Sequence, residues 1–203
     1  MAPRRLSRDG SEEARLVERC RQGEVEVFAT LVEMYQDDVY RIIYRMIGDR
    51  EEARDLAQEA FMRAFEGLAT FNVKKPFRPW MCRIAANIAI DHLRRKDHPN
   101  DIPLEAVFDA GADRESLLPE SDGPEGAALS HEVSDIVWRE LLGLQVNWRA
   151  AIVLHHMEGM SYSEIGDILG VPRNTAKTWV HRAKGELCRS LEGVILRVKK
   201  ELQ

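Results

Sequence analysis

Apolar residues recur at steps of three and four along most of this chain, and nowhere do they alternate with a period of two. Phe28, Leu31, Val32, Tyr35, Val39, Ile42, Ile43 and Met46 form the longest such run, which stops at Gly48. That spacing puts one apolar stripe on a 3.6-residue turn and is incompatible with a half-buried strand, so the chain is expected to be all-α. A shorter helix is expected before it, capped at Ser11 and ending near Gly23. Asp49, with Glu52 three residues on, has the pattern of a capping box. It opens a helix with Ala53, Leu56, Ala57, Ala60, Phe61 and Ala64 on one face, ending near Gly67. Phe77, Trp80, Met81, Ile84, Ala85, Ile88 and Ala89 mark a fourth helix running to about Arg95. Four amphipathic helices within residues 1–96 can share one core.

The pattern then breaks. Residues 97–126, "DHPNDIPLEAVFDAGADRESLLPESDGPEG", hold four Pro and three Gly among many acids, the composition of a flexible linker. Helical periodicity resumes at Leu129, Val133, Ile136, Val137, Leu141 and Leu144, so a second small helical domain is expected over 127–203.

Charge follows the same division. Residues 71–98 carry seven Lys/Arg against two Asp, residues 99–140 two Arg against eleven acids, and residues 172–200 eight Lys/Arg against two Glu. The formal net charge of −5 therefore hides two basic blocks around an acidic one. Cys20, Cys82 and Cys188 are far apart and sit among apolar helical neighbours, so buried, inert thiols in a reducing cytoplasm are expected. The six His show no ligand spacing, and no metal site or cofactor is expected. The adjacent acids Asp37-Asp38 and Glu51-Glu52 are expected to be solvated. No nucleophile–base set or glycine-rich phosphate loop points to an enzyme or a small-molecule substrate. No apolar run approaches the ~20 residues of a membrane span.

Each basic block coincides with a motif. In "YSEIGDILGVPRNTAKTWVHRAKGEL", Gly166 stands where two helices must cross closely, and Gly170, four residues later, stands where the turn needs positive φ. Ser161 and Glu164 supply a capping box, and Pro172 suits the first turn of the second helix. Ile165, Leu169, Val171, Ala176 and Trp179 take the buried positions of a helix-turn-helix. Arg173, Asn174, Thr175, Lys177, Thr178 and His181 are left for the outward face, with Arg182, Lys184 and Arg189 beyond. Such donors suit base edges and phosphates of a major groove.

The other block contains "TFNVKKPFRPW", residues 70–80. A ring at Phe71, an amide at Asn72 and the cations Lys74, Lys75 and Arg78 make the mixture expected for capture of single-stranded nucleic acid. Pro76 and Pro79 stiffen the loop. Phe77 and Trp80 are expected to anchor it in the core. Arg83, Asn87, Arg94 and Arg95 on the following helix could carry the strand onward.

The segment "YRMIGDREEARDLAQEAFMRAF", the loop, and "FRPWMCRIAANIAIDHLRRK" resemble the first conserved domain of bacterial extracytoplasmic-function sigma factors. The helix-turn-helix with "HRAKGEL" resembles their second domain. The resemblance implies a protein that binds core RNA polymerase and directs promoter-specific initiation. Its first domain would read and help to melt the −10 element, and its second would read the −35 duplex. It also implies that the helix bearing Asp55, Leu56, Gln58, Glu59 and Phe61 packs on the polymerase clamp. Asp55, Gln58, Glu59 and Arg63 leave that helix's apolar face and are the candidate contacts. The resemblance further implies an anti-sigma partner, and an acidic linker that threads a basic channel of the polymerase. Where the family commonly has a proline-led turn, this chain reads "LQVNWRAA", and Asn147 is expected to cap the helix there. The competing reading is a stand-alone helix-turn-helix regulator, usually dimeric, that binds duplex tightly without polymerase.

Overall fold

The computed structural model describes residues 10–96 and 136–201, so the 97–126 segment and the start of the second region lie outside the described residues. All regular structure among the described residues is helical. Helix α1 spans Gly10–Arg21, α2 Phe28–Ile47, α3 Arg50–Gly67 and α4 Phe77–Lys96. After the undescribed segment come α5 (136–143), α6 (Val146–Ile152), α7 (Tyr162–Leu169) and α8 (Arg173–Glu201). A short π-helical stretch, Val153–Met157, continues α6. Ser11 is not the cap of α1, because the helix already includes Gly10.

The helices form because their apolar stripes have somewhere to go. Helix α2 lies at the centre of the first half, packed on both α3 and α4. It buries Leu31, Tyr35, Val39, Ile42, Ile43 and Met46 of the stripe that its sequence spells out, with Met34 beside them and Phe28 and Val32 half-buried. It ends at Gly48, whose φ of 85° gives the left-handed cap that lets the chain reverse into α3. The Asp49 carboxylate accepts from the Glu52 N–H at 2.8 Å. The reciprocal half of a capping box is missing, because the Glu52 side chain instead holds Lys96 and His92 at the far end of α4.

In the second half, α6 and α7 pack on α8. Helix α6 is capped at Gln145, not Asn147, and its cap residue makes no side-chain bond. The Gln145 carbonyl takes the first helical bonds, from the N–H groups of Trp148 and Arg149, which leaves Asn147 inside the first turn. Asn147 accepts from Arg94 on α4 at 3.4 Å instead.

That contact is one of many between the halves. A single hydrophobic core takes in Tyr35, Ile42, Phe77, Met81 and Ile88 together with Trp138, Leu141, Leu154 and Ile165. Trp138 stacks on Tyr44 with ring centroids 5.0 Å apart. Leu142 fills the space beside Gly48, reaching 2.5 Å from where a Cβ would stand. The buried Arg149 donates to the carbonyls of Met46 on α2 and of Leu142 and Leu144. Helix α4 also packs along α7.

Candidate nucleic-acid interface

The turn between α7 and α8 has the geometry its sequence demands. The Ser161 hydroxyl accepts from the Glu164 N–H, and the Glu164 carboxylate accepts in return from the Ser161 N–H at 2.8 Å. The Ser161 hydroxyl also donates to the Glu164 carboxylate at 2.7 Å, and this bond with the backbone one holds the Glu164 carboxyl below its ordinary range. Gly170 closes α7 at φ 69°. A Cβ on Gly166 would stand 2.7 Å from the Val171 carbonyl oxygen, so only glycine allows the two helices this approach. Pro172 sits just before α8 rather than in its first turn, and its carbonyl accepts from Thr175 and Ala176.

Ile165, Ala176, Val180 and Ala183 are buried at the crossing, while Leu169, Val171 and Trp179 are half-buried against the core. On the opposite side Arg173, Asn174, Lys177, Thr178, His181, Arg182 and Lys184 are exposed, and Thr175 is half-buried. The Thr178 hydroxyl donates to the Asn174 carbonyl at 2.8 Å, so it faces outward as an acceptor. The Arg182 guanidinium lies 5.8 Å from the ring centroid of Trp148, near enough for a cation–π contact that steadies it. The result is a polar face rich in donors along the first three turns of α8.

The loop before α4 departs from expectation at its aromatic residue. Phe71 is only 6% exposed. Its ring packs edge-on against Phe77 at 5.5 Å and tilted on Trp80 at 4.7 Å. Three rings therefore form one internal cluster, and Phe71 presents no free face to a base. The polar residues of the loop do point out. Asn72, Lys74 and Lys75 are exposed, and Asn72 shapes the turn by accepting from the Lys74 N–H through its side chain and from Lys75 through its carbonyl. Arg83, Asn87 and Arg94 are exposed at helical steps of four and seven along α4, with Arg95 beside Arg94.

Arg78 is not open to solvent in the expected way. Its guanidinium bonds Asp38 of α2 at 3.0 Å and Glu158, from the end of the π stretch, at 2.8 Å. Glu158 also bonds Arg45 of α2 at 2.9 Å. Asp38 has Arg41 as a further partner. The side chains of Glu158 and Asp38 are 2% and 3% exposed, so Asp38 is not the solvated surface acid that its sequence context suggested. Burial pushes the Glu158 carboxyl up, and the arginines around it pull the other way.

On α3, Asp55, Gln58 and Arg63 are exposed, Glu59 is half-buried, and Glu59 pairs with Arg63 one turn on. Leu56 is buried and Phe61 half-buried, so both hold the helix from within. Met62, which charge-based reading missed, shares the face of Asp55, Gln58 and Glu59 and is 66% exposed. Its position was legible in the helical step. Cys20 and Cys82 are buried as expected, but Cys188 is exposed. Among the described residues no group of His, Cys, Asp and Glu could hold a metal, and no helix is long and apolar enough to cross a membrane.

Two family models match the chain: Sigma-70 region 2 over residues 31–98 and Sigma-70 region 4 over residues 134–187. The chain is 36% identical to the ECF RNA polymerase sigma factor SigW of Bacillus subtilis, over 86% of this chain and 94% of that one. It is 31% identical to the RNA polymerase sigma-H factor of Pseudomonas aeruginosa, over 91% and 96%. It is also 31% identical to the ECF RNA polymerase sigma-E factor of Escherichia coli K12, over 90% and 95%. Two solved structures share its fold. CnrH in complex with the cytosolic domain of CnrY superposes with a TM-score of 0.63 at 20% identity, covering 91% of this chain and 99% of that one. The sigma factor RpoE in complex with the anti-sigma factor NepR, from Bartonella quintana, gives 0.61 at 20% identity, covering 81% and 96%.

Proposed function

The chain belongs to the extracytoplasmic-function sigma factors of RNA polymerase, and on that premise we propose how its residues divide the work of promoter recognition. It directs core polymerase to promoters. The carrying observation is that Sigma-70 region 2 and region 4 match in order along one chain, each with a basic outward face. We read it as an initiation factor and not a catalyst, because polymerase supplies the chemistry.

Residues 1–96 engage the polymerase clamp and the −10 element, 97–126 thread the enzyme as an acidic linker, and 127–203 read the −35 element. The −35 contacts are Arg173, Asn174, Thr175, Lys177, Thr178 and His181 toward bases, with Arg182 and Lys184 on phosphates. Support comes from the exposure of this face opposite the buried helix crossing. Asn72, Lys74 and Lys75 hold unpaired −10 DNA, and Arg83, Asn87, Arg94 and Arg95 follow the strand along α4. Phe71 shapes that loop from beneath. Asp55, Gln58, Glu59 and Arg63, with Met62 at the centre, meet the clamp. An anti-sigma protein that holds the factor inactive in the cytoplasm is part of this reading. Its support is that RpoE, which shares the fold, was solved with NepR.

Transcription in vitro over genomic DNA, with mapped 5′ ends, tests the reading. Core polymerase plus this chain is expected to start at a small set of sites sharing −10 and −35 sequences, and core alone at none of them. Tight duplex binding by a dimer without polymerase, and no polymerase-dependent starts, would favour the stand-alone regulator.

A further inference from the structure

Helix α1 precedes the residues that match Sigma-70 region 2, and none of the candidate contact residues lies on it. It packs on α2, on the 3-10 turn Leu68–Thr70 and on α4, with Leu16, Val17 and Cys20 buried. Two polar side chains of α1 reach the loop before α4. Glu13 is 6% exposed. Its carboxylate accepts from the Phe77 N–H at 3.2 Å and from the Tyr35 hydroxyl. Arg21 donates through Nε to the Leu68 carbonyl at 2.9 Å and through Nη2 to the Phe71 carbonyl.

These contacts hold the loop at both ends. Phe77 opens α4, so its N–H is one of the donors that a helix start leaves without a partner inside the helix. A carboxylate there satisfies the donor and suits the positive end of the helix. At the loop's entrance, the planar guanidinium of Arg21 presents its donors in a fixed fork. Its bonds to the Leu68 and Phe71 carbonyls set the direction in which the chain leaves the turn. Glu18 lies 3.5 Å from the same guanidinium and helps to aim it. Glu13 and Arg21 stand about two turns apart, or about 12 Å of helix, so α1 fixes the distance between the loop's anchor points. Between those points the rings of Phe71, Phe77 and Trp80 form the floor, and Asn72, Lys74 and Lys75 are exposed above it.

We propose that Glu13 and Arg21 are positioning residues for −10 opening: α1 clamps both ends of the loop and holds Asn72, Lys74 and Lys75 in the one shape that takes unpaired DNA. The role rests on the −10 reading of the loop, but the clamp itself is measurable in the free full-length chain. A loop already held in its bound shape loses less freedom on binding, so the clamp acts on opening and not on affinity for polymerase. Arg21→Met keeps most of the aliphatic stem and removes every donor. The Phe71 and Lys75 N–H groups donate within the turn and the loop, to Leu68 and Asn72. Arg21→Met should speed their exchange with solvent about tenfold or more, the factor that loss of a hydrogen bond from a charged group gives. Exchange at Ile88, buried in the middle of α4, should stay as in the parent. Arg21→Lys should fall between the two, because an ammonium restores the charge without the fork.

Opening is read with core polymerase on a duplex promoter found by the 5′-end mapping, with a fluorescent base in its −10 element. Varying the concentration of the polymerase complex separates affinity for closed DNA from the rate of opening. Arg21→Met should open about tenfold more slowly, as a loop in its competent shape a tenth of the time would, with affinity for closed DNA unchanged. A pre-melted −10 template should return most of the activity. Parent-like exchange at Phe71 and Lys75 in Arg21→Met would overturn the clamp. So would faster exchange that extends to Ile88, since Arg21 would then support the whole domain and not the loop. A loosened loop that opens DNA at the parent rate, while Asn72→Ala opens it slowly, would remove the positioning role. Parent-rate opening in Asn72→Ala as well would sink the −10 reading of the loop and leave the clamp standing. Should Arg21→Met fail to fold, the same measurements on Arg21→Lys decide.

Discussion

At the scale of single residues, the capping box at Ser161 gives the plainest energetic expectation. Ser161→Ala removes the acceptor for the Glu164 N–H and should cost about 1 kcal/mol, read as a lower melting temperature. The sign of the pH effect follows from Glu164. Its carboxyl is held below its ordinary value of 4.5 by bonds that only the folded state makes. Its stabilisation is therefore complete above that ordinary value and is lost as pH falls from there through the lowered one. Glu164→Gln should reduce stability at neutral pH and flatten the dependence on acid. Had the carboxyl been raised, the order would be reversed. Phe71 and Asn72, adjacent in the loop, should separate cleanly. Phe71→Ala empties part of a three-ring cluster and should cost about 3–5 kcal/mol of stability. Asn72→Ala should melt nearly as the parent and lose −10 opening on a duplex promoter, with more activity returning on a pre-melted template. Equal melting temperatures for the two would contradict the buried placement of Phe71. An aromatic at the start of a basic, proline-stiffened loop looks the same in sequence whether it stacks on a base or on Trp80. Only the packing decides, and the packing depends on α4.

At the scale of elements, helices and their stripes were legible because burial imposes a 3.6-residue step on the sequence. The helix-turn-helix was legible at its turn, since Gly166 answers a steric demand that no other residue meets and Gly170 supplies a left-handed φ that favours glycine. Less legible were the ends and the buried charges. Asn147 has the chemistry of a cap, yet the helix begins one residue before it because Gln145 supplies the carbonyl. Asp38 lies at the step of Tyr35, Val39 and Ile42, which should have suggested burial. Reading it as one of an adjacent acidic pair hid that. Its partner Arg78 lies 40 residues away, and Glu158 lies 113 residues from Arg45. No local pattern encodes such pairs. Function at this scale is carried by faces. On α3, Met62 is an exposed apolar group ringed by Asp55, Gln58 and Glu59, the form of an anchor with a polar rim. Met62→Lys should weaken affinity for core polymerase about tenfold or more, as loss of a central anchor does, with no change in melting temperature. On α8, alanine at Arg173, Asn174 or Lys177 should cost about 1–3 kcal/mol and relax preference at one or two −35 bases. Alanine at Arg182 or Lys184 should weaken all sequences alike and reduce the salt slope by about one unit. If all five leave promoter choice intact, the face has been misassigned.

At the scale of the whole chain, the sequence shows two basic helical blocks and an acidic, proline-rich segment between them, and the folded halves share one core. The composition spoke for separation because it reports what each segment could bury, not whether two buried surfaces meet. Both properties, a cleavable segment and a shared core, bear on how the halves associate. They can be measured together by limited proteolysis. With four prolines and three glycines among its acids, the 97–126 segment should be the first site cut, giving two helical fragments. In the parent chain these fragments should co-elute on gel filtration, because the Trp138 stack, the Arg149 bonds and the Glu158 cluster do not pass through the cut. Glu158→Arg places a third cation against Arg45 and Arg78, and the same nick should then release two separately eluting fragments. Protection of 97–126 in the free chain would defeat the division into two domains. Co-elution that survives Glu158→Arg would leave the apolar core, and not the charge cluster, as what holds the halves together.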